Sequence, residues 1–232
     1  MLRFLRSRRT KTQPRLPDGI RIYAVGDIHG RADLLEQMFA VIDADLASSP
    51  VSRSIEVYLG DYVDRGPHSG DTLDLLMERS RIRESMLLKG NHEAYLLEVL
   101  RDPTKLEDWR QFGGMETLMS YVIQPSLNPD AAEQIELIRK LIKAMPGRHL
   151  KFLRSLTPSF VCGDFFFVHA ACGRGFPLTS NTSRTCCGYA MISWIAKKIS
   201  ANSSCTVTSQ FESQTFGRTG SISTPEPMRR AT

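Results

Sequence analysis

Asp27 and His29 stand one residue apart in Gly26-Asp27-Ile28-His29-Gly30, directly after the apolar run Ile20 to Val25. On a turn that leaves a strand, both side chains can point off one sheet edge at a single cation. Asp61 holds the matching place in Gly60-Asp61-Tyr62-Val63-Asp64-Arg65-Gly66, after a second apolar run. A carboxylate has two oxygens and so can bridge two metals. Asn91 and His169 come from later strand ends, and the five residues make a mixed nitrogen and oxygen ligand set suited to Mn²⁺, Fe or Zn²⁺. Taken singly, each has a plainer reading: Asp-x-His is a turn residue and a satisfied histidine, Gly-Asp is a turn, and Asn91 caps a helix start.

The elements that must position these residues are readable from periodicity. Ile20 to Val25 predicts a buried strand with Gly26 to Gly30 as the turn that follows, and Leu34, Leu35, Met38, Phe39, Val41, Ile42 then recur at helical spacing. Ile55 to Leu59 predicts a second strand, Thr72 to Arg79 a helix, Ser85 to Leu88 a third strand and Glu93 to Leu100 a helix. A helical region follows from about Lys105 to Leu156, broken at Pro146. Phe160 to Cys162 and Phe165 to Val168 predict a hairpin turning at Gly163-Asp164, whose second strand delivers His169. The alternation implies an α/β fold with parallel strands covered by helices, each motif lying beyond the carboxyl end of a strand, where open α/β sheets bind ligands.

The 232 residues suffice for one full core, and the formal charge of +5 sits at the ends. Arg3, Arg6, Arg8, Arg9, Lys11 and Arg15 crowd the start, so residues 1–19 are expected to be a basic, flexible tail. The middle is acidic, which argues against a nucleic-acid partner and for a cation site. No apolar run approaches the ~20 residues of a membrane span and no secretory signal is present, so a soluble, cytoplasmic protein without a membrane partner is expected. The five cysteines match neither a zinc site nor a redox pair.

The three strings, with Gly90-Asn91-His92-Glu93 as the third, resemble the signature of the calcineurin-like metallophosphoesterases, and the resemblance covers roughly residues 20 to 170. Asp64-Arg65-Gly66 and the stretch Gly113-Gly114-Met115-Glu116-Thr117-Leu118-Met119-Ser120-Tyr121 are similar to the serine/threonine protein phosphatases of bacterial and phage type. The resemblance implies a sandwich of central β-sheets flanked by helices. It also implies two divalent cations, manganese foremost with iron or zinc as alternatives. Asp27, His29 and Asp61 would bind one, and Asp61, Asn91 and His169 the other. His92 would be the leaving-group acid paired with Asp64, and Arg65 would hold phosphate. Two metals ~3.5–4 Å apart lower the pKa of a water for in-line attack on phosphorus, so no phosphoenzyme is needed. Arginine offers a planar fork to phosphate oxygens, and histidine protonates a departing alkoxide. The implied substrate is a phosphorylated protein or a small phosphoester. A symmetrical diadenosine tetraphosphate hydrolase and an inactive metal- or phosphate-binding remnant are the alternatives.

Past Ala170 the resemblance stops. The expected Trp-x-Arg and Gly-His-Thr segments are absent, and residues 171–232 read as a Ser/Thr-rich stretch without sustained periodicity. A one-base shift of reading frame at Ala170 is the cause we hypothesise, with a genuinely divergent Ser/Thr-rich tail as the alternative. Joining each codon's last base to the first two of the next, the residues present allow GVRPGVSLD from Ala170, DLLWIRDDFL from Arg184 to Trp194, VVHGH around Ser203 to Val207 and NRINIDTGAYAT from Arg218 to Arg229. All four resemble the missing segments in family order and in one frame. Replacing them removes burial worth ~25 cal/mol per Å², so impaired folding or a weakened second metal site is expected.

Overall fold

The computed structural model describes residues 14–126, residues 128–169 and the backbone of residues 205–208. The chain alternates β1 (Ile20–Val25), α1 (Ala32–Ser48), β2 (Arg53–Tyr58), α2 (Ser69–Ile82), β3 (Ser85–Leu87) and α3 (Asn91–Val99). A short 3₁₀ turn at Pro103–Lys105 leads into α4 (Leu106–Gln111), α5 (Gly114–Ser120), α6 (Ala131–Ala144) and α7 (Gly147–Ser155). The hairpin β4 (Ser159–Cys162) and β5 (Phe165–Val168) follows, then β6 (Cys205–Thr208). The first sheet has the order β3-β2-β1-β6 with every pairing parallel, and β4 with β5 forms a separate antiparallel pair. This is the parallel α/β arrangement that the alternation implies.

Side-chain alternation along β1 and β2 divides the interior in two. Ile22, Ala24, Ile55 and Val57 face the hairpin and pack with Phe167. Tyr23, Val25 and Tyr58 face the helices, joining Leu35, Leu73 and Leu96 in the larger cluster. The sheet is therefore covered on one side by helices and on the other by the second sheet, which makes the expected sandwich.

One expectation about the start needs correction. Residues 14–19, part of the stretch expected to be a flexible tail, are anchored: Arg15 N–H donates to Asp164 Oδ2 at 3.0 Å, and Asp164 N–H donates to the Arg15 carbonyl at 3.0 Å. Leu16 packs beside the hairpin cluster, so partial burial of one apolar side chain and two hydrogen bonds hold a segment whose charge alone suggested solvation. Beyond Ala170, where no sustained periodicity was expected, the described backbone of Cys205–Thr208 pairs with β1 from Ile22 to Val25. The run Cys-Thr-Val-Thr suits a strand, and parallel pairing is made by main-chain groups. The segments 170–204 and 209–232, with most of the proposed frame-shifted strings, lie outside the described residues.

Candidate metal centre and acid pair

Three loops at the carboxyl ends of β1, β2 and β3 build the site. The backbone N–H groups of Ile28 and His29 donate to the Asp61 carbonyl at 3.0 and 2.8 Å, and Gly30 N–H donates to the Tyr62 carbonyl at 2.8 Å, which stitches the first loop to the second. A Cβ on Gly66 would meet the His29 carbonyl oxygen at 2.0 Å, so only glycine permits this approach. Four of the five described non-glycine residues with positive φ are His29, Asp61, Asp64 and Arg65, at 48°, 55°, 69° and 67°. Unfavourable backbone is thus concentrated where the candidate ligands stand, a placement that characterises functional loops.

The structure brings all eight sequence-selected residues to one place. Donor atoms of Asp27, Asp61 and His169 lie within 4.8 Å of one another, as do those of His29, Asp61 and His92, with Asp61 common to both groups. His29 Nε2 is 3.9 Å from Asp27 Oδ2 and 3.9 Å from Asp61 Oδ2, while His169 Nε2 is 3.3 Å from Asp61 Oδ2. His169 Nε2 is also 2.9 Å from Asn91 Oδ1. Ligands ~2.1 Å from one cation stand about 3 Å apart, so these separations suit cation binding with little adjustment. Asn91 is the first residue of α3 and Gly90 precedes it as the cap, so the plainer reading of Asn91 as a helix cap does not hold.

Second partners fix the imidazoles. His29 Nδ1 is 3.0 Å from the Val63 carbonyl and His169 Nδ1 is 3.0 Å from the Leu59 carbonyl. A carbonyl only accepts, so each Nδ1 carries a proton and each Nε2 is turned to the site, as a metal-ligating histidine requires. Burial alone would lower the His169 pKa, but the hydrogen bond and charge of Asp61 override it and raise it to about 9. For Asp61, burial would raise the pKa; hydrogen bonding and charge from His169 reverse this and hold the carboxyl below its usual range. The carboxylates of Asp61 and Asp27 thus create a field that favours positive charge, the field a divalent cation would meet.

Beside the ligands, His92 Nδ1 donates to Asp64 Oδ2 at 2.8 Å, and both side chains are almost wholly buried. Its Nε2 faces the site. Arg65 spans the two histidines, with Nη1 2.9 Å from His29 Nε2 and Nη2 3.3 Å from His92 Nε2. The rings of His29 and His92 meet edge to face at 4.6 Å.

Sequence reasoning missed Glu93, although it ends one of the three strings. Its carboxylate is fully buried and accepts backbone N–H groups from Asp61, Tyr62, Val63 and Gly90. Burial, with the nearby charge of Asp61, raises its pKa to about 7 against the pull of those donors. Trp109 and Thr117, which both donate to Asp64, were also missed. A buried donor distant in sequence from the group it serves is visible in sequence only as one more core residue, so nothing local marked them as partners of Asp64.

A parallel α/β sandwich with a carboxylate shared between two ligand groups at its strand ends defines a metal-dependent phosphoesterase architecture. The calcineurin-like phosphoesterase family profile matches residues 20–171, and the chain belongs to that family. A serine/threonine-protein phosphatase of Arabidopsis thaliana is 37% identical over 71 residues, covering 30% of this chain and 7% of that protein. A symmetrical bis(5'-nucleosyl)-tetraphosphatase of Dechloromonas aromatica is 32% identical over 117 residues, 50% of this chain and 37% of that one. The corresponding enzyme of Coxiella burnetii is 26% identical over 160 residues, 58% of this chain and 52% of that one. The chain spans about half the length of these relatives or less. Among the described residues no helix is long and apolar enough to cross a membrane.

Proposed function

We propose that this chain hydrolyses phosphate monoesters on serine or threonine of proteins, with two divalent cations, manganese foremost. The observation that carries the reading is Asp61, common to both groups of candidate ligand atoms, with Nε2 of the Asp64-bonded His92 3.9 Å from its Oδ2. Asp27, His29, Asp61, Asn91 and His169 would hold the cations. When bound, these supply positive charge against the phosphoryl oxygens and acidify the attacking water.

The chain's own groups do the rest. Arg65 lies against the Nε2 atoms of His29 and His92, and a phosphate would offer its fork a charged acceptor instead. As the proposed acid, His92 would take up a proton on Nε2 from solvent once Arg65 turns to the phosphate and pass it to the departing alkoxide, while the buried Asp64 carboxylate holds Nδ1–H. The test is Mn²⁺-dependent release of phosphate from a phosphoserine peptide, expected to fall by about 100-fold or more in His92→Ala. Metal-independent release, or none from either this substrate or p-nitrophenyl phosphate, would overturn the reading.

A second reading, symmetrical hydrolysis of a dinucleoside tetraphosphate, has the longer similarity to the Coxiella and Dechloromonas enzymes in its favour. The Gly113 to Tyr121 stretch favours the phosphoprotein. Assaying diadenosine tetraphosphate beside the phosphopeptide separates the two.

A further inference from the structure

Asp64 is wholly buried, and its carboxylate receives three donors from three parts of the chain. Thr117 Oγ1–H donates to Oδ1 at 2.6 Å, while Trp109 Nε1–H at 2.9 Å and His92 Nδ1–H at 2.8 Å share Oδ2. The hydroxyl accounting closes around Thr117. Its single proton goes to Asp64, so it accepts the Asp64 backbone N–H at 3.0 Å and the Ser69 hydroxyl at 3.0 Å. A buried carboxylate without such partners is costly, and each donor removed leaves it freer to turn about its Cβ–Cγ bond.

The same helical corner grips the neighbouring residue. Gly113, at φ +93°, accepts Arg65 N–H at 2.9 Å through its carbonyl, and a Cβ there would meet Arg65 Cγ at 2.7 Å. A Cβ on Gly114 would strike the Trp109 ring at 2.2 Å, so the glycine is what lets the indole lie against the α4 to α5 corner. Asp64 and Arg65 both hold left-handed backbone, which persists only where surroundings enforce it. The corner from α4 to α5 supplies that enforcement.

We infer that Trp109 and Thr117 are positioning residues: they hold the Asp64 carboxylate so that Oδ2 meets His92 Nδ1–H and His92 Nε2 faces the departing oxygen. This rests on the reading that His92 protonates the leaving group, but the placement of the His92 proton is testable without it. A residue that only supports the fold would affect all substrates alike. One that aims the acid matters most where the leaving group needs a proton.

The experiment compares the full chain with Thr117→Val, Thr117→Ser and Trp109→Phe, in Mn²⁺, on a phosphoserine peptide and on p-nitrophenyl phosphate. Thr117→Val is expected to lower kcat on the phosphopeptide by about 30-fold, and on p-nitrophenyl phosphate by less than about 3-fold, since nitrophenolate leaves without protonation. KM should stay within about 2-fold, Thr117→Ser should restore the rate, and Trp109→Phe should repeat the split at about 10-fold. Equal losses on both substrates, or none, would overturn the inference. If the unaltered chain turns over neither substrate, the phosphatase reading fails, and the positioning role is decided by NMR of the same proteins. The His92 Nδ1–H proton should exchange slowly in the unaltered chain and Thr117→Ser, and about 10-fold faster in Thr117→Val and Trp109→Phe. Equal exchange in all four proteins would sink it.

Discussion

The buried Glu93 carboxylate accepts the backbone N–H of Asp61 at 2.9 Å, tying the α3 start to the loop that presents the shared candidate ligand. Its Oε2 also takes Gly90 N–H at 2.8 Å, and Oε1 takes Tyr62 N–H at 2.6 Å and Val63 N–H at 3.3 Å. A glutamine keeps the shape, but in either orientation its NH₂ faces two of these donors. Glu93→Gln is therefore expected to lose about 3 kcal/mol of stability, read from urea unfolding; a loss below ~1 kcal/mol would show that the clamp is not energetically important.

Gly90 and Gly147 make a matched pair for substitution by alanine. A Cβ on Gly90 would sit 2.1 Å from Asp61 Oδ1, whereas a Cβ on Gly147 meets nothing within 4 Å. Gly90→Ala should displace the Asp61 carboxylate and weaken Mn²⁺ binding by about 10-fold in calorimetry, while Gly147→Ala leaves binding unchanged and adds about 0.5 kcal/mol of stability.

Acid stability should report on the contact between α2 and α7. Arg148 donates twice to Asp74, at 2.8 and 2.9 Å, and His149 Nε2 lies 2.8 Å from it, with Tyr121 OH on the other side of that ring at 2.7 Å. The Arg148 hydrogen bonds, with help from His149, lower the Asp74 pKa from 3.8 to about 2. The folded state thus prefers the ionised carboxylate, so its contribution is present above the ordinary carboxylate range and fades as pH falls through 4 toward 2. Asp74→Asn should cost about 1 kcal/mol at pH 7, after allowance for solvent screening, and the gap between the two proteins should close below pH 3 in thermal melts. A gap that is constant with pH would contradict this.

The coding DNA past Ala170 offers a test that needs no protein. The family match ends at residue 171, and the proposed shift of frame begins at Ala170. The stretch that would read VVHGH overlaps Cys205–Thr208, the strand beside β1 in this chain. Sequencing is expected to find codons that spell all four strings one base out of register; codons unable to do so remove the proposal. Restoring the frame should raise the melting temperature, because each returned kcal/mol shifts it by roughly 2–4 °C in a domain of this size.

Much of the first half was legible because its signals are local. β1 runs from Ile20 to Val25 as its apolar run implied, the hairpin turns at Gly163-Asp164, and α3 begins two residues before its expected start. Apolar periodicity reports which face is buried, and glycine reports where a turn must follow; both are read within a few residues. The long helical region was harder. Its division into α4, α5, α6 and α7 depends on which corners pack against Asp64, Arg65 and α2, and no window of sequence contains those partners.

The sequence by itself determined the succession of elements from Ile20 to Val168 and the candidate ligands Asp27, His29, Asp61, Asn91 and His169, since each motif follows the strand that aims it. Only the tertiary structure decided how those groups are held. Asp64 meets Trp109 and Thr117 across 45 and 53 residues, and Glu93 reaches Asp61 across 32. A buried polar group must find a partner, but which partner it finds is fixed by packing between distant elements, and residue type alone does not encode that distance.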